Sequence, residues 1–327
     1  MANKPVLKYC LDNIRAIGIT DIGIVVGEQR DQIESVIGDG SELGVDIRYI
    51  QQDTPRGLAH CVQISQHFLG DHDFVMYLGD NMLLDGIAKN TAAFMLDRPD
   101  ASVAITKVDQ PSQYGIVELD SGGQITALLE KPANPRSDLA IMGVYFFTPA
   151  IHESVMRIRP SHRGELEITD ALQDLLEHGG TITATEYTGA WKDTGRVDDL
   201  LDCNRLVLDG MSADVRGDVD RTSRLIGQVV VHPRARIVRS RLEGPLVVGA
   251  GTVIRDSVIG PHTSIGPDCS LAGADIAHSI VFDNVAIEQV VGIRDSLIGR
   301  HSNIRAGKDI TRRHLLVGDH SDIKVPT

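Results

Sequence analysis

Up to about Leu200, short apolar runs that alternate at every second position are interleaved with amphipathic stretches whose period is about 3.6 residues, as in an open sheet flanked by helices. Leu7, Leu11 and Ile14 open a helix directly behind Asn3-Lys4-Pro5, and Gly18 ends it. Strands are predicted at Asp21–Val26, 45–50 and 74–78, and helices at 29–37 and 57–69, the latter with Leu58, Val62, Ser65 and Leu69 on one face. The strand at 74–78 is halted by Gly79-Asp80-Asn81. A strand at 101–108 precedes a hairpin of Gly115–Leu119 and 124–129 around Ser121-Gly122-Gly123, and a strand at 141–147 closes the series. Helices at 149–158 and 168–178 and a strand at 181–187 follow. No strand pattern precedes the first helix.

Beyond about Gly210 the helical period disappears. Aliphatic residues recur in steps of about six: Val248, Ile254, Ile259, Ile265, Leu271, Ile280, Ile287, Ile298, Ile304 and Ile310, with Gly, Asp, His or Ser between them. Such a period predicts a left-handed parallel β-helix of hexapeptide repeats, in which each aliphatic side chain stacks inside a three-sided prism. Glu243-Gly244-Pro245 and Gly273-Ala274-Asp275 read as slips or loops. His262, His278 and His301 fall at turns and read as corner residues, since no carboxylate or cysteine repeats beside them. The predicted domains are 1–210 and 211–327, the second with a packing or oligomerising role.

Charge supports the same division. The 327 residues carry 32 Lys and Arg against 45 Asp and Glu, a net of −13. Up to Leu200 there are 16 basic and 30 acidic residues, and afterwards 16 and 15, so the deficit lies in the first part. This excludes a general nucleic-acid binder, which needs clustered cations against phosphates. Cys10, Cys61, Cys203 and Cys269 lie far apart with no C-x-x-C pair, so neither a zinc cluster nor a disulfide framework is indicated. No apolar run approaches the roughly 18 residues of a membrane span, and the start has no signal core. A cytoplasmic protein with reduced thiols, away from membranes, is expected.

Gly79-Asp80-Asn81 lies at the carboxyl end of a buried strand, where ligands sit in parallel α/β sheets. A carboxylate there suits Mg²⁺, which takes few protein oxygens and keeps water and substrate phosphates. Asp193, in Trp191-Lys192-Asp193-Thr194-Gly195, offers a second carboxylate from another strand end. Between them, Gly115 admits close approach of backbone to a ligand, Glu130 can accept from sugar hydroxyls, and Lys131 with Arg163 can neutralise a phosphate. The plainer readings are Trp191 as a core anchor, Glu130-Lys131 as a solvated strand end, and Thr169-Asp170 as a helix cap.

In order, these segments resemble the sugar-1-phosphate nucleotidylyltransferases, closest to the long-form glucose-1-phosphate thymidylyltransferases. The matching run is Asn3-Lys4-Pro5, Gln52 to His60, Leu78 to Asn81, Tyr114-Gly115, Glu130-Lys131-Pro132, Arg163 to Asp170 and Trp191 to Gly195, with hexapeptide repeats behind. The resemblance implies a nucleotidyltransferase-type, mostly parallel, Rossmann-like sheet followed by the β-helix. It further implies that Gln52 and Gly57 contact the nucleotide base and that Asp80 and Asp193 hold Mg²⁺. Tyr114, Gly115, Glu130, Lys131 and Arg163 would bind the sugar phosphate, with Asp80, Asp193 and Arg163 serving catalysis. The implied partners are dTTP and glucose 1-phosphate, and the implied assembly is a homo-oligomer. Alternatives are UTP, GTP with mannose 1-phosphate, or a non-catalytic nucleotide-sugar-binding regulator.

One departure bears on activity. The family pattern begins with a strand and a loop of the form Gly-Gly-x-Gly-Thr-Arg-Leu that grips the triphosphate, and no such run occurs in these residues. The expectation is either that about thirty residues, one βαβ unit's length, precede Met1 in the reading frame, or that this is a truncated form with impaired activity. Without that strand, an interior member of the sheet, edge backbone should be left unpaired.

Overall fold

The computed structural model describes residues 1–306 and 315–325. By contact the chain divides into two compact units, one of Leu7–Trp191 and one of Lys192–Thr327 with Met1–Val6. The division falls before Gly210 because the helix that ends at Asp209 packs on the solenoid that follows it. No helix among the described residues is long and apolar enough to cross a membrane, and all four cysteines are free thiols.

Through the first unit run α1 (Val6–Ala16), β1 (Asp21–Val26), α2 (Arg30–Ile37), β2 (Asp46–Gln51), α3 (Leu58–Leu69), β3 (Phe74–Tyr77), β4 (Asn81–Leu83) and α4 (Ala88–Asp97). They are followed by β5 (Ala101–Lys107), β6 (Gly115–Leu119), β7 (Ile125–Glu130), β8 (Leu139–Phe147), α5 (Ile151–Arg157), α6 (Ile168–Glu177) and β9 (Ile182–Glu186). β4 and α4 are additions to the elements that periodicity predicts. The main sheet has the order β7-β6-β8-β5-β9, with β3 also paired to β8. It is mixed: β5 and β9 are parallel, whereas β8 runs antiparallel to β3, β5 and β6. The chain reaches β8 through the β6–β7 hairpin, and a hairpin reverses direction where a helical crossover preserves it.

β1 and β2 form a separate parallel pair. Among the described residues β1 pairs only with β2, and β3 only with β8. Val75 and Tyr77 of β3 nevertheless pack on the apolar cluster that holds Leu11 and Ile14 of α1 and Ile22 of β1. Side-chain burial therefore joins what no backbone ladder joins.

The second unit holds α7 (Val197–Asp209) and a three-faced parallel solenoid. On one face Val231, Val248, Ile265, Val281 and Ile298 stack rung on rung. On the next stand Ile237, Ile254, Leu271, Ile287 and Ile304, and on the third Leu242, Ile259, Ile276 and Ile293. All are buried in one cluster, as the six-residue step requires; Ile310 lies outside the described residues. Gly244-Pro245 and Gly273-Ala274 are corners between strands, while Glu243 ends one strand and Asp275 begins another.

Polar residues fill the corners. Asp256, Asp268, His278 and His301 adopt left-handed φ between 50 and 56°, a conformation that a short polar side chain tolerates. His262 and His278 face each other at 5.2 Å between ring centroids, and His301 stacks on His320 at 4.7 Å. A second device closes the buried backbone. Ser257 Oγ donates to Arg255 O (2.6 Å) and accepts from Ala274 N (3.0 Å), and Ser240 and Ser296 repeat the pattern. On the outside, Leu208 of α7 covers Val230 and Val247. Buried Asn204 accepts from Ser264 Oγ (2.6 Å) and Ala2 N (2.9 Å), while Asn3 Nδ2 donates to Ile265 O (2.7 Å).

Two substitutions separate the two devices. Ile254→Ala should lower the unfolding free energy of the solenoid by about 2–5 kcal/mol, because a rung core cannot collapse on the cavity. Ser257→Ala should cost about 1–3 kcal/mol by leaving the buried Ala274 N–H without its acceptor. Denaturant unfolding followed by circular dichroism measures both; two neutral results would contradict this account of the rungs.

Candidate active site

The loop that holds the candidate base contacts starts where β2 ends. Gln52 N donates to Val26 O (2.8 Å), continuing the β1–β2 ladder by one residue. The Gln52 side chain turns onto the start of α3, its Nε2 lying 2.9 Å from His60 Nδ1, 3.4 Å from Gly57 O and 3.4 Å from Cys61 Sγ. Gly57 has φ +97°, and a Cβ there would sit 2.5 Å from Leu166 O. The reason is a backbone clasp: Leu166 N donates to Arg56 O (2.7 Å), and Ala59 N donates to Leu166 O (3.0 Å). Residues 56–59 and the segment Arg163 to Asp170 are thus bonded edge to edge, with glycine at the contact because only glycine fits.

That second segment leads to the sugar-phosphate candidates. Gly115 pairs with Glu130 across the β6–β7 hairpin, and Tyr114 O accepts from Lys131 N (3.1 Å). A Cβ on Gly115 would come within 2.8 Å of Thr169 Cγ2 and 3.3 Å of Glu130 Oε2, so this glycine makes room for protein neighbours. Glu130 is more than a solvated strand end. It accepts from Thr169 Oγ1 (3.0 Å) and Arg163 Nη1 (3.3 Å), with Lys131 Nζ at 4.0 Å. Burial raises its carboxyl above the ordinary glutamate range and the charge of Glu167 adds to this, while Thr169, Lys131 and Arg163 oppose it. Burial, then Glu167, likewise raises Asp170.

Arg163 is committed to carboxylates. Nη1 also lies 3.2 Å from Glu167 Oε1, and Nη2 lies 3.6 Å from Glu165 Oε1. Glu167 is only 5% exposed and is held by Ser161 Oγ (2.9 Å). The guanidinium charge is therefore shared among three carboxylates, which spacing alone did not reveal. Thr169 does not cap a helix: α6 begins at Ile168, so Thr169 stands within the first turn and gives its hydroxyl to Glu130.

Asp80 follows β3 and is exposed. Its Oδ1 accepts from Asn81 Nδ2 (2.9 Å). Asn81, 4% exposed, accepts in turn at Oδ1 from Trp191 Nε1 (2.7 Å) and Gly143 N (3.4 Å). The Trp191 ring stands edge-on to Tyr114 at 5.6 Å, so the single tryptophan links Asp80's neighbour to Tyr114 and does more than fill a core. Cys10 Sγ donates to Asn81 O (3.3 Å). Burial, with Asp80 nearby, pushes that thiol up to about 12, which keeps it protonated. Asp193 belongs to the second unit, where its Oδ1 accepts from Gly195 N (2.9 Å). Lys192 beside it pairs with Asp202 (3.0 Å) and Asp199 (3.4 Å).

Among the described residues no group of three or more His, Cys, Asp or Glu side chains is arranged to hold a metal. Single carboxylates of the Asp80 kind are hard oxygen donors, and they fit an ion that fills its shell with water and substrate oxygens, as Mg²⁺ does. Leu166, Glu167, Asn81 and His60 lie inside quoted motifs, but their partners are distant in sequence or on another element, so no periodicity could find them.

Known proteins bear on this arrangement. Residues 1–210 match the model described as Nucleotidyl transferase, and 225–325 match the GMPPB C-terminal domain. A glucose-1-phosphate thymidylyltransferase of Streptomyces griseus is 48% identical over 99% of this chain and 92% of its own. The low-salt glycan biosynthesis nucleotidyltransferase Agl11 of Haloferax volcanii is 41% identical over the same shares. A Bacillus anthracis crystal structure assigned as a glucose-1-phosphate thymidylyltransferase superposes with a TM-score of 0.59 at 31% identity, covering 64% of this chain and 85% of its own. The chain, with its strand-end aspartate, clasped glycine loop and Glu130–Arg163 cluster, belongs to the nucleotidyl transferase family.

Proposed function

We propose that the chain transfers a thymidylyl group from dTTP to glucose 1-phosphate, giving dTDP-glucose and pyrophosphate. The observation that carries this reading is the Leu166 clasp, which holds the base-side loop and the sugar-phosphate segment as one surface, in a chain 48% identical to a thymidylyltransferase. Gln52 and Gly57 receive the base; Tyr114, Gly115, Glu130, Lys131 and Arg163 receive the sugar phosphate. A phosphate oxygen of glucose 1-phosphate attacks the α-phosphorus, the bond to the bridging oxygen breaks, and pyrophosphate leaves with the electron pair. No proton donor of unusual strength is needed, so the residues act by in-line positioning and charge neutralisation.

Asp80 would hold Mg²⁺, which would neutralise charge on the triphosphate. Arg163 meets the sugar phosphate by exchanging one of its carboxylate contacts, an inexpensive change because the side chain is 32% exposed and its pairs are partly screened. Glu130 keeps its buried place and accepts from a sugar hydroxyl in its ionised form. Cytoplasmic residence agrees with the free thiols, and exposed Ile226, Val258 and Leu316 on the solenoid support association of copies.

The deciding assay is Mg²⁺-dependent pyrophosphate release from dTTP and glucose 1-phosphate, run on this chain and on one extended upstream in its reading frame. UTP, and GTP with mannose 1-phosphate, are the comparison arms. Release fastest with dTTP and glucose 1-phosphate is expected; faster release in another arm, or none with either chain, would overturn the assignment. In the active form Asp80→Asn should lower kcat on the order of 10²-fold, the scale of losing one charge-stabilising group. Gly57→Ala should raise KM for both substrates together, because about 1–3 kcal/mol of backbone strain falls on the clasp. A KM change confined to dTTP would contradict that coupling.

A further inference from the structure

We infer that His60 is a positioning residue that fixes which end of the Gln52 amide meets the nucleotide base, so that base discrimination follows the protonation of His60 Nδ1. This rests on the reading of Gln52 as a base contact. Gly57 O can only accept a hydrogen bond. Its 3.4 Å separation from the Gln52 side-chain nitrogen identifies that end of the amide as the NH₂ group. His60 Nδ1, 2.9 Å from the same nitrogen, must then accept. A neutral imidazole that accepts at Nδ1 carries its proton on Nε2.

Cys61 completes the pocket. Its thiol hydrogen points to Gly57 O (3.6 Å), which leaves sulfur as a third acceptor, 3.4 Å from the amide nitrogen. Burial pushes this thiol up, so it stays protonated and adds no charge. The NH₂ end of Gln52 therefore faces acceptors supplied by Gly57, His60 and Cys61, and the amide oxygen is the end presented to a ligand. An oxygen there suits a base with an N–H on its pairing edge, such as the N3–H of thymine. It opposes cytosine, whose N3 bears a lone pair.

Protonation at Nδ1 reverses the logic, since a donor would then face an NH₂ group. If the amide turns over, its oxygen meets Gly57 O, and the loop loses its arrangement either way. Burial first, and the positive charge of Arg56 second, hold His60 below the ordinary histidine range. At neutral pH the ring is therefore uncharged, and the preference for an N–H base is present. It is lost as pH falls through the lowered His60 value.

The test measures dissociation constants of dTTP and dCTP, each with Mg²⁺, from about pH 8 down to about pH 5, for the wild type, His60→Gln, His60→Ala and Gln52→Ala. The dTTP preference of the wild type should shrink as pH falls through the lowered His60 value, by about tenfold once Nδ1 is protonated, the weight of one hydrogen bond. His60→Gln, whose amide oxygen accepts at any pH, should retain the preference at both ends. His60→Ala should lose it at both ends. The ¹⁵N shifts of His60 should show an unprotonated Nδ1 at neutral pH. A wild-type profile in His60→Ala, with the preference collapsed in Gln52→Ala, would overturn the inference alone. An unchanged preference in Gln52→Ala would overturn the base-contact reading, and this inference with it.

Discussion

Two backbone hydrogen bonds at Leu166 carry the functional half of the molecule. Through them residues 56–59, which follow β2, are joined to the turn before α6, elements more than a hundred residues apart in sequence. Backbone bonds are indifferent to side-chain identity except at Gly57, where the approach of Leu166 excludes any Cβ. One glycine thus sets the distance between the loop proposed for the base and the cluster proposed for the sugar phosphate.

Around that clasp the charges are arranged to hold one another. Arg163 lies among Glu130, Glu165 and Glu167, and Glu130 is fixed a second time by Thr169. Burial lifts Glu130, and the nearby cations offset part of that cost. An acidic catalytic half is compatible with phosphate chemistry because local pairing, not net charge, sets the field at each group. Asp80 follows the same principle: buried Asn81 grips its carboxylate and is itself fixed by Trp191 and Gly143.

The solenoid was legible in sequence because each rung repeats one local rule, an aliphatic residue inside and a turn former at the corner. The strands and helices around the site were legible where their periods were strong. α4, with polar Lys89 and Asn90 near its start, and the three-residue β4 carry too little pattern to declare themselves. The reversed direction of β8 was hidden because its nine residues, all apolar but for Gly143, read alike in either direction. Motif order located most candidate residues, but not the contacts that explain them. Arg163 and Glu130 are 33 positions apart, and a pair at that separation leaves no periodic trace.

The central claim is that the base loop and the sugar-phosphate segment behave as one unit. Amide hydrogen exchange at Ala59 and Leu166 tests it directly, since these two N–H groups form the clasp. The account predicts that both exchange with the same opening free energy, and that dTTP alone or glucose 1-phosphate alone protects both together. Independent exchange of the two amides, or protection of each by only one substrate, would contradict it.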